Sequence, residues 1–535
     1  MKRCPTCNRV ETDDALNFCR IDGALLVSTQ SFPEAEADFG DTRLFAPTAP
    51  TVETSRRLAA SSPVQASRAP RRSVNSLAVM PLRNDSGDAA MEYFSDGITE
   101  SIINALSHSP RLRVVPRSTV FRYKNADIDP QQAGRELGVR AVVTGRVRQT
   151  SDRLLIAVEL QNVERQSQLW GEHYNRNLTD VFDVQEEIAR EIAEKLRLKL
   201  TPTERTKLAR RQTESTAAYQ AYLQGRFHWY KRSLEGLKLS ADYFKRALEI
   251  DPEYALAHAG LADSYVILGI AEYGVLPPRE AMPLAKAAAL EALRIDKSLA
   301  EAQTTLAHVC AFYDWDWTAA EKAFKRAIKL NPQYALAHHW DALYLAAMGR
   351  HAEAIAAERR AQELEPLSLI INKNVGTILF YAGQVESSIE QYQLTLELES
   401  SFARTHFYLG VAYVLKEQYS EAIQEYEQAL ELSGGEGAVL KSLLAHAQAL
   451  AGNRAAALKI LEDLNAQRRE HYVPAFNIAL VYVGLKQLDE AFEWLEKAFE
   501  ERSSWLVSLK IEPMLNILHS DSRFGDLVKR IGLPE

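Results

Sequence analysis

The chain has 535 residues, 46% of them hydrophobic and 25% charged, with a formal net charge of −8 at pH 7. At ~100–200 residues per folding unit it should hold more than one domain, and its acidic balance argues against a broad hold on nucleic acid or an anionic membrane. Four Cys cannot make a disulfide framework, and no stretch approaches the ~18 uninterrupted apolar residues of a membrane span. Met1-Lys2-Arg3 runs straight into Cys4 with no apolar stretch behind it, unlike a secretory signal, so the expected compartment is the cytoplasm.

Residues 1–27 hold Cys4, Cys7 and Cys19, followed by Asp22-Gly23. The spacing Cys4-x₂-Cys7-x₁₁-Cys19-x₂-Asp22 makes two knuckles and resembles a small zinc ribbon, with Asp in place of the fourth Cys. A segment under ~30 residues with few apolar side chains cannot build a core alone, so a structural Zn²⁺ on Cys4, Cys7, Cys19 and Asp22 would supply its folding energy. Residues 28–73 carry no helical or strand period and are rich in Ala, Pro, Ser and Thr, as in Ala46-Pro47-Thr48-Ala49-Pro50. They read as a flexible linker, acidic around Glu34 and Asp38 and basic around Arg56, Arg68 and Arg72.

Residues 74–200 change period repeatedly, which predicts an α/β domain with a mixed sheet. Ser76–Leu82 reads as a buried strand, and Phe94, Ile98, Ile102 and Leu106 mark one face of a helix. Two alternating runs, Val139–Val147 and Leu154–Leu160, predict an antiparallel hairpin. Leu169–Tyr174 should add a strand, and Val181, Val184, Ile188, Ile192 and Leu196 a closing amphipathic helix. The run Ser76-Leu77-Ala78-Val79-Met80-Pro81-Leu82, then Tyr93-Phe94-Ser95-Asp96-Gly97, Glu136-Leu137-Gly138, Gly145-Arg146-Val147, Leu169-Trp170 and Val184–Ala189, resembles the TolB-like amino-terminal domain of bacterial signalling proteins. That resemblance implies a fold and a signalling context, in which such domains are fused to cyclase, kinase or winged-helix modules. It implies no catalytic residues.

Residues 213–502 repeat. Small residues fall at Ala285, Ala320, Ala354, Ser388, Ala422, Ala457 and Ala491, spaced by 34 or 35, with a second set at Ala262, Ala307, Ala342, Gly376, Gly410, Ala445 and Ala479. Antiparallel helices approach closely only where side chains are small, and bulky residues such as Phe324, Tyr392, Tyr426 and Leu461 fill the gaps between them. The pattern resembles a tetratricopeptide array of about eight units, an all-α solenoid. One unit carries an eleven-residue insertion, read as a long loop from Gly269 to Pro283. Residues 503–535 depart from the repeat and should cap its terminal face.

The sequence carries no Walker loop, His-Glu-x-x-His, Gly-x-Ser-x-Gly or kinase catalytic loop, so the chain reads as non-catalytic, with no small-molecule substrate evident. Cys310 reads as a buried structural thiol, and His258, His338 and His406 as copies of one repeat position. The expected function is a protein-binding adaptor whose first helices present a concave groove. Counting from Ala342, Gly376 and Gly410, that groove should be an exposed strip of Leu336, His339, Leu343, Ile370, Lys373, Thr377, Arg404, Phe407 and Val411. The alternative is a transcriptional or nucleotide-signalling regulator that contacts nucleic acid through the ribbon or the basic linker.

Overall fold

The computed structural model describes residues 74–535, except 108, 110, 125, 127, 151, 197, 199–200, 202–212, 232, 271–274, 436 and 535, together with three two-residue strands near the N-terminus. Those strands, β1 (Lys2–Arg3), β2 (Val10–Glu11) and β3 (Val27–Ser28), pair antiparallel in the order β2-β1-β3. Cys4, Cys7, Cys19 and Asp22, and the interior of the 28–73 segment, lie outside the described residues.

The α/β domain is built on β4 (Ser76–Val79), β5 (Arg83–Asn84), β6 (Arg113–Val114), β7 (Ala141–Thr150), β8 (Arg153–Asn162) and β9 (Ser167–Asn177). The sheet order is β6-β4-β7-β8-β9, with β5 also pairing β7. β4 runs parallel to β6 and β7, while β7, β8 and β9 form an antiparallel meander, so the sheet is mixed. The alternation in β8 buries Leu154, Ile156, Val158 and Leu160 on one face. Helix α1 (Glu92–Ser107) covers that core with Phe94, Ile98, Ile102 and Leu106, and the later helix Val181–Lys195 covers it with Val184, Ile188 and Ile192. Between them lie α2 (Arg117–Val120) and α3 (Pro130–Glu136), whose N-cap Asp129 accepts from the Gln132 amide at 3.1 Å.

From Thr216 to Glu500 the described residues form eight antiparallel helix pairs. The second set of small residues lies where the two helices of a unit cross. A Cβ on Gly376 would stand 2.4 Å from the Tyr392 ring, and one on Gly410 2.6 Å from the Tyr426 ring. The insertion between Ala262 and Ala307 is partly helical. The first helix of that unit, Ala255–Gly269, has 15 residues, and the second begins at Pro278 rather than after Pro283. Proline is tolerated at a first helical position, where its missing N–H has no intrahelical partner anyway, so the loop is shorter than Gly269 to Pro283.

The two domains share one core. Ala218, Tyr219, Leu223, Tyr254 and Ala257 of the first units belong to the apolar cluster of the sheet domain. A Cβ on Gly97 of α1 would stand 2.5 Å from the Leu223 side chain, so the glycine lets these helices meet without displacing that leucine. After the last repeat helix the chain makes two 3₁₀ turns, Ser504–Ser508 and Pro513–Leu518, and a helix, Ser522–Ile531. That helix packs on the last unit, where Arg523 pairs with Asp489 at 2.9 Å and Arg530 with Glu496 at 2.8 Å. The two turns reach further and lie across the concave face of earlier units.

Candidate functional site

The first helices of the central units, Ala335–Ala347, Leu369–Tyr381 and Ala403–Leu415, stand side by side on the concave face. Between them and the 3₁₀ turn Ser504–Ser508 is a cavity of about 140 Å³, room for about five waters at roughly 30 Å³ each. Leu336, His339, Leu343, Ile370, Lys373, Thr377 and Arg404 line it. Phe407 and Val411 line a smaller void of about 20 Å³ beside it, with Trp505, Glu512 and Met514. The repeat register therefore gathers the nine positions on one face, but the strip is not open. His339, Lys373, Thr377, Phe407 and Val411 are buried. The covering segment is the C-terminal one, whose path has no counterpart in the repeat pattern.

A chain of polar groups crosses the floor of the cavity. His339 Nδ1 stands 3.0 Å from Glu358 Oε1, and Asn374 Nδ2 stands 3.4 Å from His339 Nε2. Lys373 Nζ donates to Asn374 Oδ1 at 3.0 Å and lies 3.9 Å above the Tyr408 ring. Since the Asn374 amide donates to Nε2, the imidazole proton sits on Nδ1 and points at Glu358. A buried carboxylate is thus linked through an imidazole and an amide to a buried ammonium, and each charge has a partner. Burial pushes the Glu358 carboxyl above its usual range, against the pull of His339 and Lys373. His308 sits between Phe312 and Trp340, with both ring centroids 4.5 Å away, and burial pushes its imidazole down to about 3, so it stays neutral.

Several of these groups escape a reading by register. Asn374, Tyr408 and Trp340 each sit one residue beyond a chosen position. Glu358 comes from a second helix, on what reads as a solvated face, yet it is 1% exposed. The recurrent histidines behave alike. His258, His338 and His406 each bring Nε2 within 2.9–3.0 Å of the carbonyl six residues earlier, closing the turn that enters their helix. Cys310 is buried in a π-helical turn, Cys310–Asp314, and burial pushes its thiol up to about 11, far from a reactive thiolate. Among the described residues, no cluster of three or more His, Cys, Asp or Glu is placed to hold a metal, and no helix is long and apolar enough to cross a membrane.

Comparison with known proteins fits this geometry. Tetratricopeptide repeat models match residues 311–368, 403–435 and 475–504. Where the sequence reading expects a TolB-like domain, the model that matches, over residues 73–195, is that of the HilA/YgeH-like transcriptional regulator, second domain. The chain is 38% identical over 187 residues to the Rhizobium meliloti (strain 1021) protein named "Putative adenylate cyclase 3", which spans 35% of this chain and 32% of that protein. A Hordeum vulgare protein named for the glycosyltransferase SPINDLY is 30% identical over 20% of this chain and 12% of its own length. The chain thus spans about a third or less of the curated relatives it matches. Among solved structures, PilF of Pseudomonas aeruginosa is similar at 19% identity and a TM-score of 0.31, over 41% of this chain and 94% of that one. The helical part of this chain is built of tetratricopeptide repeats, and it follows a mixed-sheet domain matched by the HilA/YgeH-like second-domain model.

Proposed function

We propose that the chain is a non-catalytic adaptor of bacterial signalling that holds a segment of a partner protein against the concave face of its repeats. The observation that carries this reading is the cavity of about 140 Å³ on that face, set in a repeat class built for surface recognition. Aromatic and aliphatic walls, a buried lysine and the guanidinium of Arg404 suit an apolar segment with acidic flanks. The compartment is the cytoplasm. Affinity capture with the full chain tests this: Arg404→Glu, on a half-buried residue at the cavity edge, should lose the partner while circular dichroism stays unchanged. Retention of every captured protein by that variant would refute the groove.

In the same reading, Cys4, Cys7, Cys19 and Asp22 bind one structural Zn²⁺ that folds the head. Thiolate-rich sets at this spacing suit tetrahedral zinc. Metal analysis of the full chain should give close to one zinc per chain, lost in Cys19→Ser.

A second reading, a transcriptional or nucleotide-signalling regulator, is favoured by the regulator-domain match over residues 73–195 and by the cyclase name of the Rhizobium relative. It predicts retention on DNA that weakens steeply with salt. Flow-through at low salt argues for the adaptor alone.

A further inference from the structure

The concave face of the later units is already occupied by the chain itself. Leaving the last repeat helix, residues 503–518 run back across it. The Trp505 ring stacks on Phe476 with centroids 6.0 Å apart and planes 13° from parallel. Leu506, Leu509, Leu515 and Leu518 are fully buried. Glu512 is sunk beside Tyr381, whose Oη donates to its carboxylate at 3.4 Å, while the Met514 amide donates to the other oxygen at 3.3 Å.

Polar satisfaction along this seam is poor. Trp505 Nε1, Ser503 Oγ, Tyr426 Oη and Asn477 Oδ1 are buried there without a protein hydrogen-bond partner among the described residues. The segment is wound in 3₁₀ turns, whose hydrogen bonds are weaker than those of an α-helix. Voids of about 140 and 20 Å³ adjoin Trp505. Among the described residues, the titratable groups around Glu512 are the phenols of Tyr381, Tyr392, Tyr408 and Tyr426. Apolar anchors hold the segment, while Trp505 Nε1 and Ser503 Oγ gain no protein hydrogen bond among the described residues when it is seated. Such a segment can exchange with a competitor.

We propose that residues 503–518 are an intramolecular occupant of the partner-binding face, displaced by a protein segment of like chemistry: an aromatic anchor, aliphatic residues and one carboxylate. This rests on the reading of the concave face as the partner site and adds its regulation. The tether keeps the occupant at high effective concentration, so the partner's apparent affinity falls by the fraction of molecules that stand open. Burial also pushes the Glu512 carboxyl up to about 7 from an ordinary 4.5. The seated state therefore binds the extra proton, and seating weakens as pH rises from about 4.5 to about 7.

A labelled synthetic peptide of residues 503–518 is the probe, added to the full chain at pH 8 and followed by fluorescence anisotropy. Trp505→Ala, with its own anchor removed, should bind the peptide at least tenfold more tightly than the unaltered chain. Glu512→Gln keeps the shape, cannot ionise and should seat the segment more firmly, so the peptide should bind more weakly than to the unaltered chain. Equal affinity in all three chains overturns the proposal, and so does tighter binding to Glu512→Gln. Loss of helical circular dichroism in Trp505→Ala also overturns it, because the segment would then be part of the core. The peptide needs no natural partner, so this test can fail while a captured protein still depends on Arg404, and the reverse.

Discussion

Where the two helices of a repeat unit cross, the limiting contact is a hydrogen atom against an aromatic ring. Gly410 faces Tyr426, which is fully buried and has no room to retreat. Gly410→Val would drive a branched side chain into a ring that already stands 2.6 Å from an ideal Cβ. Overpacking of this kind costs about 1–3 kcal/mol, and here it should reach the upper end because both helices are held by neighbouring units. Gly383 provides the contrast. It has a φ of +77° and nothing within 4 Å of an added Cβ, so Gly383→Ala costs only the left-handed penalty, about 1–2 kcal/mol. Urea unfolding followed by helical circular dichroism should place the Gly410→Val midpoint clearly below that of Gly383→Ala. The reverse order would mean that the helix crossing can spread to admit a side chain.

At the scale of elements, the seam between α1 and the first repeat helix, Thr216–Lys231, decides whether the two domains move as one. Glu100 of α1 meets Arg226 Nη2 at 3.0 Å and Tyr230 Oη at 3.0 Å from the repeat side, and Arg117 Nε at 3.2 Å from its own domain. Burial alone would raise its carboxyl, but Arg226 and Arg117 outweigh it and hold it below the usual range. Removing one charge from such a buried set leaves the others uncompensated, at about 3–5 kcal/mol. Glu100→Gln should therefore split calorimetric unfolding into two transitions, the sheet domain separating from the repeats. A single transition at an unchanged temperature would show that the apolar seam around Gly97 and Leu223 suffices. Much of this architecture was legible where a period exists. Phe94 to Leu106 gave the helix face, β7 and β8 the hairpin, and the small residues of the repeats the helix crossings. β5 and β6, two residues each, carry no period and draw their pairing from β4 and β7, far off in sequence. The candidate site divides in the same way. Its register positions were legible because each unit copies the last, whereas Glu358 and Trp505 acquire their surroundings only from tertiary packing.

At the scale of the whole molecule, the array bends far enough for its third unit to meet its end. The π-helical turn Cys310–Asp314 leads into Trp315, whose backbone is left-handed at φ +59°. That turn brings the indole onto the last unit. The ring lies 5.2 Å from Phe499, and the Arg502 guanidinium sits 4.1 Å above it. Arg502 Nη1 also donates to the Tyr313 carbonyl at 3.4 Å, across 189 residues of sequence. In Asp314-Trp315-Asp316-Trp317, then, the first Trp serves as a clasp between the third and eighth units. A repeat array is held mainly by neighbour contacts, so its curvature is soft and distant contacts, here Trp315 together with the C-terminal segment, can set it. Trp315→Ala removes the aromatic contact and the cation–π pair together, at about 3–5 kcal/mol for a buried aromatic. The units themselves lose nothing, so helical circular dichroism should hold while small-angle scattering records a larger radius of gyration. Arg530→Ala, which breaks only exposed pairs with Glu496 and Asp526 and its stacking on Phe499, should move the radius far less. If Trp315→Ala leaves the scattering curve unchanged, the curvature belongs to the neighbour contacts and the C-terminal segment, and the clasp follows from the bend instead of setting it.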